Sequence, residues 1–247
     1  MRIAVVSDIH GNLDALTAVL ADIRARRCDL TVNLGDILSG PLQPVETADL
    51  LIGLNLPTIR GNHERQLLDT PRPRMGASDA YARDALRADQ LDWIAALPAT
   101  LALNDAVYLC HGTPGDDLEY FLEHLDDDGP RAADTAEATR RAGAIDHALI
   151  LCGHTHVPRT LRLDDGRLLA NPGSVGLQAY RADYPRPHAM EVGDPRARYA
   201  IADDAAGHWR IEPIAVDYDH EAAAARALRN GRADWAHALR TGRVEAR

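Results

Sequence analysis

Short apolar runs alternate with helical patterns along the first sixty residues of the chain. The run at 3–6 is typical of a buried strand, and Asn12 can cap a helix whose apolar positions recur every three or four residues. The alternation continues with strands at 29–34 and 56–59 and a helix at 44–54. Strands that alternate with helices predict a parallel sheet with right-handed crossovers.

Later patterns are less regular. Residues 64–97 are rich in Arg, Asp and Ala and predict a helical insert with short helices at 80–86 and 90–97. Residues 177–195 contain three prolines and predict an irregular added loop near the site. The remaining predicted elements are hairpins at 100–103/106–110 and 159–163/167–171, a helical stretch at 118–125, a helix at 131–142, strands at 147–151, 198–202 and 209–216, and C-terminal helices within 219–247.

Composition narrows the class of protein. A chain of 247 residues with no repeat or low-complexity linker predicts a single domain spanning 1–247. Hydrophobic residues make up 46% and aromatic residues only 4%, so the core must consist mostly of Ala, Leu, Val and Ile. The formal charge of -10 argues against non-specific binding to nucleic acids or to anionic membranes.

Missing residue types exclude further mechanisms. All 27 basic residues are arginine, which rules out a P-loop lysine, a Schiff-base lysine and a lysine general base. The spacing of Cys28, Cys110 and Cys152 fits neither a disulfide framework nor a zinc ribbon. No charged-then-apolar leader is visible, and no apolar run approaches the roughly 20 residues of a membrane span. We therefore expect a soluble, cytoplasmic protein without membrane contacts, of unknown oligomeric state.

Five polar blocks follow predicted strands and carry metal-ligand chemistry. They are Asp8-x-His10, Gly35-Asp36, Gly61-Asn62-His63-Glu64, His111-Gly112 and Gly153-His154-x-His156. The carboxyl ends of strands in open α/β sheets are where ligands bind. Two Asp, one Asn and four His are too many ligands for one ion and suit two ions that share a bridge. The seven candidate metal ligands are Asp8, His10, Asp36, Asn62, His111, His154 and His156.

Mixed nitrogen and oxygen ligands suit divalent Mn, Fe, Ni, Co or Zn, with manganese favoured. Asp36 can bridge two ions, which would hold a shared hydroxide for attack on phosphorus. His63 lies beside Asn62 in the sequence and is the candidate for protonating the leaving oxygen. The alternative interpretations are that the seven candidate ligands are unrelated turn residues and that His63 serves only as a structural hydrogen-bonding residue.

This ordered set of blocks resembles the calcineurin-like metallophosphoesterases, and most closely the small single-domain bacterial and archaeal branch described as predicted phosphodiesterases. The resemblance covers roughly residues 1–217. It implies an α/β (α+β) fold, an αββα sandwich of two mixed β-sheets flanked by helices, with a dinuclear metal site at the loop edge of the sheets. Carried over by position, one ion would be held by Asp8, His10, Asp36 and His156, and the other by Asp36, Asn62, His111 and His154.

The resemblance implies a metal-dependent phosphoric ester hydrolase. His63 matches the histidine of the family that contacts phosphate, and with Asp36 it forms the catalytic pair; Asn62, His63 and Arg60 are the candidate substrate contacts. For Arg60 a salt bridge at a strand end is an equally good interpretation. The second block lacks the Asp-Arg pair of Gly-Asp-x-x-Asp-Arg-Gly, which disfavours phosphoprotein and dinucleoside substrates.

We therefore expect a phosphodiesterase of small or nucleotide-like phosphate esters. A phosphomonoesterase of the same fold and a metal-binding interaction scaffold with little activity are the alternatives. The role of the C-terminal helices stays open. A substrate wall and ordinary surface packing are both possible for Tyr120, Phe121, Tyr180, Arg181 and Arg186.

Overall fold

The computed structural model describes residues 1–245, so the last two residues of the expected C-terminal helical region lie outside it. The helices of the described part are α1 Leu13–Arg26, α2 Pro44–Leu54, α3 Asn62–Asp69, α4 Ala77–Ala85, α5 Ala88–Ala96, α6 Thr135–Ala142, α7 His220–Arg229 and α8 Ala233–Thr241. The strands are β1 Arg2–Val6, β2 Leu30–Asn33, β3 Leu101–Asn104, β4 Val107–Leu109, β5 Glu123–Asp126, β6 Gly129–Ala132, β7 Leu149–Leu151, β8 Arg159–Arg162, β9 Leu168–Asn171, β10 Ala179–Ala182, β11 His188–Glu191, β12 Ala197–Asp203 and β13 Arg210–Val216.

Two mixed sheets form the centre of the fold. The first has the order β13-β12-β1-β2, with β1 parallel to β2 and antiparallel to β12. The second has the order β3-β4-β7-β9-β8, with β4, β7 and β9 parallel and both edge strands antiparallel. Helices cover the outer face of each sheet. The expected αββα sandwich is therefore confirmed.

The alternation of side chains along β1 explains the layers. Ile3 and Val5 pack into a cluster that joins the two sheets, whereas Ala4 and Val6 face the cluster formed with α1 and α2. Successive residues of a strand point to opposite faces, so a strand covered on both sides must be apolar throughout. The short apolar run at the start of the chain therefore lies between two layers of core.

The first helix forms as its sequence predicts. The side chain of Asn12 accepts a hydrogen bond from the backbone N–H of Ala15 (3.1 Å), which satisfies one of the free donors at the start of α1. Leu16, Val19 and Ile23 are buried against the first sheet. No helix within residues 1–245 is long and apolar enough to cross a membrane.

The structure corrects four predicted elements. The strand expected at 56–59 is reduced to one bridge between Thr58 and Asn33, because Pro57 has no N–H to extend the ladder. The helical stretch expected at 118–125 is wrong: β5 and β6 pair there as a hairpin around the turn at 126–129. The helix expected from 131 begins at Thr135, because the Asp134 capping box determines its start.

The fourth correction concerns 177–195, which is not irregular. Strands β10 and β11 pair as an antiparallel hairpin, and the prolines of its tip are exposed. Leu177 and Ala179 are buried against α7 and α8. Apolar contact with the C-terminal helices therefore orders a segment whose local sequence indicates a loop. The expected helical insert at 64–97 is present as α3, α4 and α5, and it begins at Asn62 itself.

Candidate metal centre

Backbone hydrogen bonds bring the five polar blocks to one edge of the sandwich. The N–H of Asp8 donates to the carbonyl of Gly35 (3.0 Å), and the N–H of His10 donates to the carbonyl of Asp36 (3.0 Å). On the second sheet, the N–H of Gly153 donates to the carbonyl of His111 (2.7 Å). The loops that leave neighbouring strands are thus joined to one another, so their side chains converge.

The candidate ligands stand out by their backbone conformation. Seven described residues other than glycine have positive φ, and two of these, Arg27 and Asn55, merely end α1 and α2. A left-handed backbone is unfavourable for residues with a Cβ atom and concentrates at functional sites. The other five are candidate ligands, namely Asp8 (54°), His10 (53°), Asp36 (52°), His154 (70°) and His156 (62°).

Asp8, His10 and His156 form one group whose ligand atoms all lie within 4.8 Å of one another. The Nε2 atoms of the two histidines are 3.1 Å apart, and that of His156 lies 3.4 Å from Oδ1 of Asp8. Nδ1 of His10 bonds to the carbonyl of Ser39 (2.7 Å), and Nδ1 of His156 to that of Leu177 (2.6 Å). Carbonyls only accept, so each Nδ1 carries the proton and each Nε2 lone pair faces the group.

Asp36, His111 and His154 form a second group of the same kind. His111 donates from Nδ1 to the carbonyl of Leu34 (2.8 Å), and its Nε2 lies 3.1 Å from Oδ2 of Asp36. His154 uses the opposite nitrogen, because its Nε2 bonds to the carbonyl of Leu118 (3.2 Å) and leaves Nδ1 for the group. Backbone carbonyls therefore orient all four histidines.

Asn62, the seventh candidate, directs its side-chain amide into the second group. One polar atom of this amide lies 3.0 Å from Nδ1 of His154, 3.2 Å from Nε2 of His111 and 3.3 Å from Oδ2 of Asp36. An amide carbonyl oxygen is a suitable ligand for a divalent cation. The structure thus brings all seven predicted ligands together.

Two further observations test whether these residues fit divalent cations. Oδ1 of Asp8 is buried and has no hydrogen-bond partner, which is costly for a carboxylate without a cation. Burial lowers the pKa of His111, but the facing Asp36 carboxylate outweighs burial and raises it to about 10. The site therefore attracts positive charge strongly. Buried, oriented imidazoles and carboxylates in two adjoining groups fit two divalent transition-metal ions.

His63 lies beside the two groups and belongs to neither. Its Nδ1 is 2.7 Å from Oδ1 of Asp79, and the same oxygen accepts a hydrogen bond from the hydroxyl of Ser39 (2.5 Å). Burial lowers the pKa of His63, but the charge of Asp36 and the hydrogen bond that His63 donates to Asp79 raise it to about 9. His63 is thus held in one orientation with Nε2 free.

Glu64 is a residue of the third block to which the sequence assigns no role. Its fully buried carboxylate accepts hydrogen bonds from the backbone N–H groups of Asp36 (2.8 Å), Ile37 (2.7 Å) and Gly61 (2.9 Å). It thereby joins the second block to the third. Only glycine fits at 61, because a Cβ atom there would lie 2.2 Å from Oδ1 of Asp36. The capping-box spacing from Gly61 to Glu64 was the available signal for this contact.

Two tyrosine rings pack against histidines of the candidate metal groups. The ring of Tyr180 packs edge-on to His156 (4.6 Å between centroids), and the ring of Tyr120 packs on His154 (5.0 Å). The two hydroxyl groups are 2.7 Å apart, and that of Tyr120 is 2.8 Å from Nε2 of His188. His188 thus anchors the β10–β11 hairpin to the site and does not line the cavity.

A cavity of about 410 Å³ opens in front of the two groups. His10, Asp36 and His63 line its floor, and residues of β10 and α8 form the facing wall. Among the other candidates, Tyr180 and Arg181 line the cavity, whereas Arg60 does not. Phe121 belongs to the outer core of the second sheet, and Arg186 pairs with Asp127 on the surface (2.7 Å).

Sequence reasoning missed Asp79, Ser39 and the contribution of α8. Asp79 lies in an Arg-, Asp- and Ala-rich insert among many similar acidic residues, so no local pattern distinguishes it. The wall formed by α8 depends on contacts between residues more than 170 positions apart in the chain, such as the edge-on packing of Trp235 against His10.

Comparisons with known proteins agree with this geometry. Residues 1–190 match the family described as calcineurin-like phosphoesterase superfamily domain. An uncharacterised protein of Methanocaldococcus jannaschii is 29% identical over 248 residues, which cover 94% of each chain.

Two solved structures share the fold over nearly the whole length. A metallophosphoesterase from Sphaerobacter thermophilus superposes with a TM-score of 0.76 and 29% identity, covering 98% of this chain and 100% of the other. A hypothetical protein from Pyrococcus horikoshii superposes with a TM-score of 0.73 and 20% identity, covering 98% of each chain.

Proposed function

The chain belongs to the calcineurin-like phosphoesterase superfamily, and from this premise we propose that it is a metal-dependent phosphodiesterase of small or nucleotide-like phosphate esters. The observation that carries the proposal is the pair of His/Asp groups that share one edge of the sandwich, beside a histidine that belongs to neither group. Groups of this kind are what a hydrolase needs to neutralise and orient a phosphoryl group.

In this proposal seven side chains would hold two divalent ions, and Asp36 would belong to both ligand sets. When bound, the ions supply a water of lowered pKa and positive charge that faces the phosphoryl oxygens. Manganese is the first ion to test. One ion is assigned to Asp8, His10, Asp36 and His156, and the other to Asp36, Asn62, His111 and His154.

His63 is proposed to protonate the oxygen of the leaving group. Asp79 holds Nδ1–H of His63, so the proton to be transferred resides on Nε2. His63 also lines the cavity and is a proposed contact of the phosphate ester, whereas Asn62 does not line it and keeps only its proposed role as a metal ligand. Arg60 is not proposed as a substrate contact, because it does not line the cavity.

The charge of the cavity wall favours diesters over monoesters. Arg232 is neutralised by a bidentate pair with Asp234, and Arg181 donates to the backbone carbonyl of Glu245. The wall therefore carries two positive and two negative side chains. A phosphodiester has a single negative charge, whereas the second charge of a monoester would face a wall of no net charge.

Asp79→Asn tests the orientation of His63. The amide can present a donor to Nδ1, which favours the wrong tautomer, and we expect turnover to fall about 10–100-fold with unchanged metal content. Asp84→Asn is the matched control, because Asp84 lies on the same helix and pairs with Arg72 on the surface. Steady-state hydrolysis over a range of pH and metal analysis are the measurements. Unchanged turnover would show that Asp79 does not orient a catalytic histidine.

The proposed function is tested with protein stripped by a chelator and refilled with Mn, Fe, Ni, Co or Zn. We expect metal-dependent hydrolysis of bis-p-nitrophenyl phosphate that exceeds hydrolysis of p-nitrophenyl phosphate. A preference for the second ester would identify a phosphomonoesterase instead. Uptake of two ions without turnover of either ester would identify a metal-binding scaffold.

The cysteines support the cytoplasm as the place of action. Cys28, Cys110 and Cys152 are all within the described residues, and none of them forms a disulfide. Unpaired thiols are typical of proteins from reducing compartments.

A further inference from the structure

The wall of the cavity opposite the metal groups is apolar at its centre. Ala179 of β10 and Trp235 and Ala238 of α8 line it, together with Val244 of the segment that follows α8. These residues belong to one hydrophobic cluster between the β10–β11 hairpin and the C-terminal helices. The ring of Trp235 also packs edge-on against His10 of the first candidate group, with 5.9 Å between ring centroids. The apolar wall therefore begins directly beside the candidate metal centre.

Hydrogen bonds hold this wall in place. The N–H of Val244 donates to Oε1 of Glu191 on β11 (2.7 Å), and the N–H of Gly193 donates to the carbonyl of Gly242 (2.8 Å). The guanidinium of Arg232 spans from Asp234 to the hydroxyl of Ser78 on α4 (2.8 Å). Hydrogen bonds thus join the end of the β10–β11 hairpin, the C-terminal part of the chain and α4 around one apolar surface, which is preformed for a ligand.

The arginines of the wall are not placed to bind a second phosphate. Both nitrogens of Arg232 that face Asp234 are occupied, at 2.9 and 2.7 Å, and Asp234 would repel an approaching anion. Arg181 is engaged with the backbone of Glu245. A cavity of about 410 Å³ nevertheless has much more room than one phosphate needs.

We infer that this wall binds the organic substituent of the phosphodiester, and that the substituent is an uncharged flat or apolar group such as an aryl ring rather than a second phosphate. The inference rests on the proposed function and adds the class of substituent. Burial of an aryl ring against Ala238, Trp235 and Val244 supplies binding energy that a methyl group cannot match.

The test compares two diesters of equal charge, methyl phenyl phosphate and dimethyl phosphate, that differ in one substituent. Titration calorimetry of each ester with the manganese-refilled full-length chain measures affinity without requiring turnover. We expect methyl phenyl phosphate to bind at least about tenfold more tightly. Equal affinity of the two esters would overturn the inference.

Two variants add side-chain volume to the cavity at its apolar wall, and a matched control adds the same volume at an exposed site. Ala238→Leu adds side-chain volume to the cavity and should abolish the preference for the phenyl ester, with unchanged metal content. Val244→Phe does the same from a half-buried position and serves if the first variant fails to fold. Ala233→Leu makes the same change as the first variant at an exposed position of α8 and should keep the preference.

A preference that survives both filling variants would also overturn the inference. The two proposals can fail separately, because binding is measured apart from hydrolysis. A phenyl preference without hydrolysis of any ester would refute the phosphodiesterase and leave the wall as a binding surface. Hydrolysis without a phenyl preference would refute the inference about the wall and leave the phosphodiesterase proposal standing.

Discussion

His63→Ala should lower turnover of a diester with an alcohol leaving group by roughly 10²–10⁴-fold while both metal ions stay bound. The expectation follows from geometry, since Nδ1 of His63 is held by Asp79 and the ring belongs to neither His/Asp group. An alkoxide is a poor leaving group and needs the proton, whereas p-nitrophenolate leaves as a stable anion. The loss should therefore be clearly smaller for a p-nitrophenyl ester of the same size.

The measurement is steady-state kinetics on both esters together with metal analysis of the purified variant. His208→Ala is the control, because His208 is exposed and distant in sequence from every ligand block. Equal losses on both esters would assign His63 to binding of the phosphoryl group instead of proton transfer. An unchanged rate would remove it from catalysis.

Asp36→Asn should weaken binding of both metal ions by at least about 100-fold, more than loss of a residue that only orients a ligand. The change keeps the size of the side chain and removes its charge. Asp36 faces His111 (3.1 Å) and accepts a hydrogen bond from the N–H of His63 (2.9 Å), so it lies at the centre of the site. Titration of the chelator-stripped variant with manganese, followed by calorimetry, measures the effect.

Asp8→Asn is the informative comparison, because Asp8 belongs only to the group with His10 and His156. It should weaken binding of one ion and leave binding of the other ion unchanged. Loss of a single ion from the Asp36 variant would show that Asp36 is not the bridge. Thermal unfolding gives a second readout: manganese should raise the melting temperature of the wild type and have little effect on the Asp36 variant.

Backbone strain explains why metal should also stabilise this fold. Five of the candidate ligands have left-handed backbones, each of which costs of order 1–3 kcal/mol for a residue other than glycine. Hydrogen bonds between the blocks and from backbone N–H groups to the Glu64 carboxylate maintain these conformations. Ions that bind only the folded arrangement would offset part of this cost.

The sequence predicted the site better than it predicted the loops around it. All seven proposed ligands converge, because six of them follow strands that end at one edge of the sandwich and Asn62 follows the bridge between Thr58 and Asn33. The hairpins at 123–132 and 179–191 were not predicted, since the sequence indicated helical stretches at 118–125 and from 131 and an irregular loop at 177–195. Their pairing depends on burial against other elements, which local sequence does not show.

The sequence by itself therefore determined the fold class and the residues of the two His/Asp groups that could hold metal ions. A buried strand and a metal ligand each require particular residues at particular positions, which remain visible in a linear chain. Only the tertiary structure decided which residues assist them. Asp79 reaches His63 from another helix, and Trp235 reaches His10 from the far end of the chain. Such contacts arise from packing between distant segments, whose outcome depends on the whole core rather than on neighbouring residues.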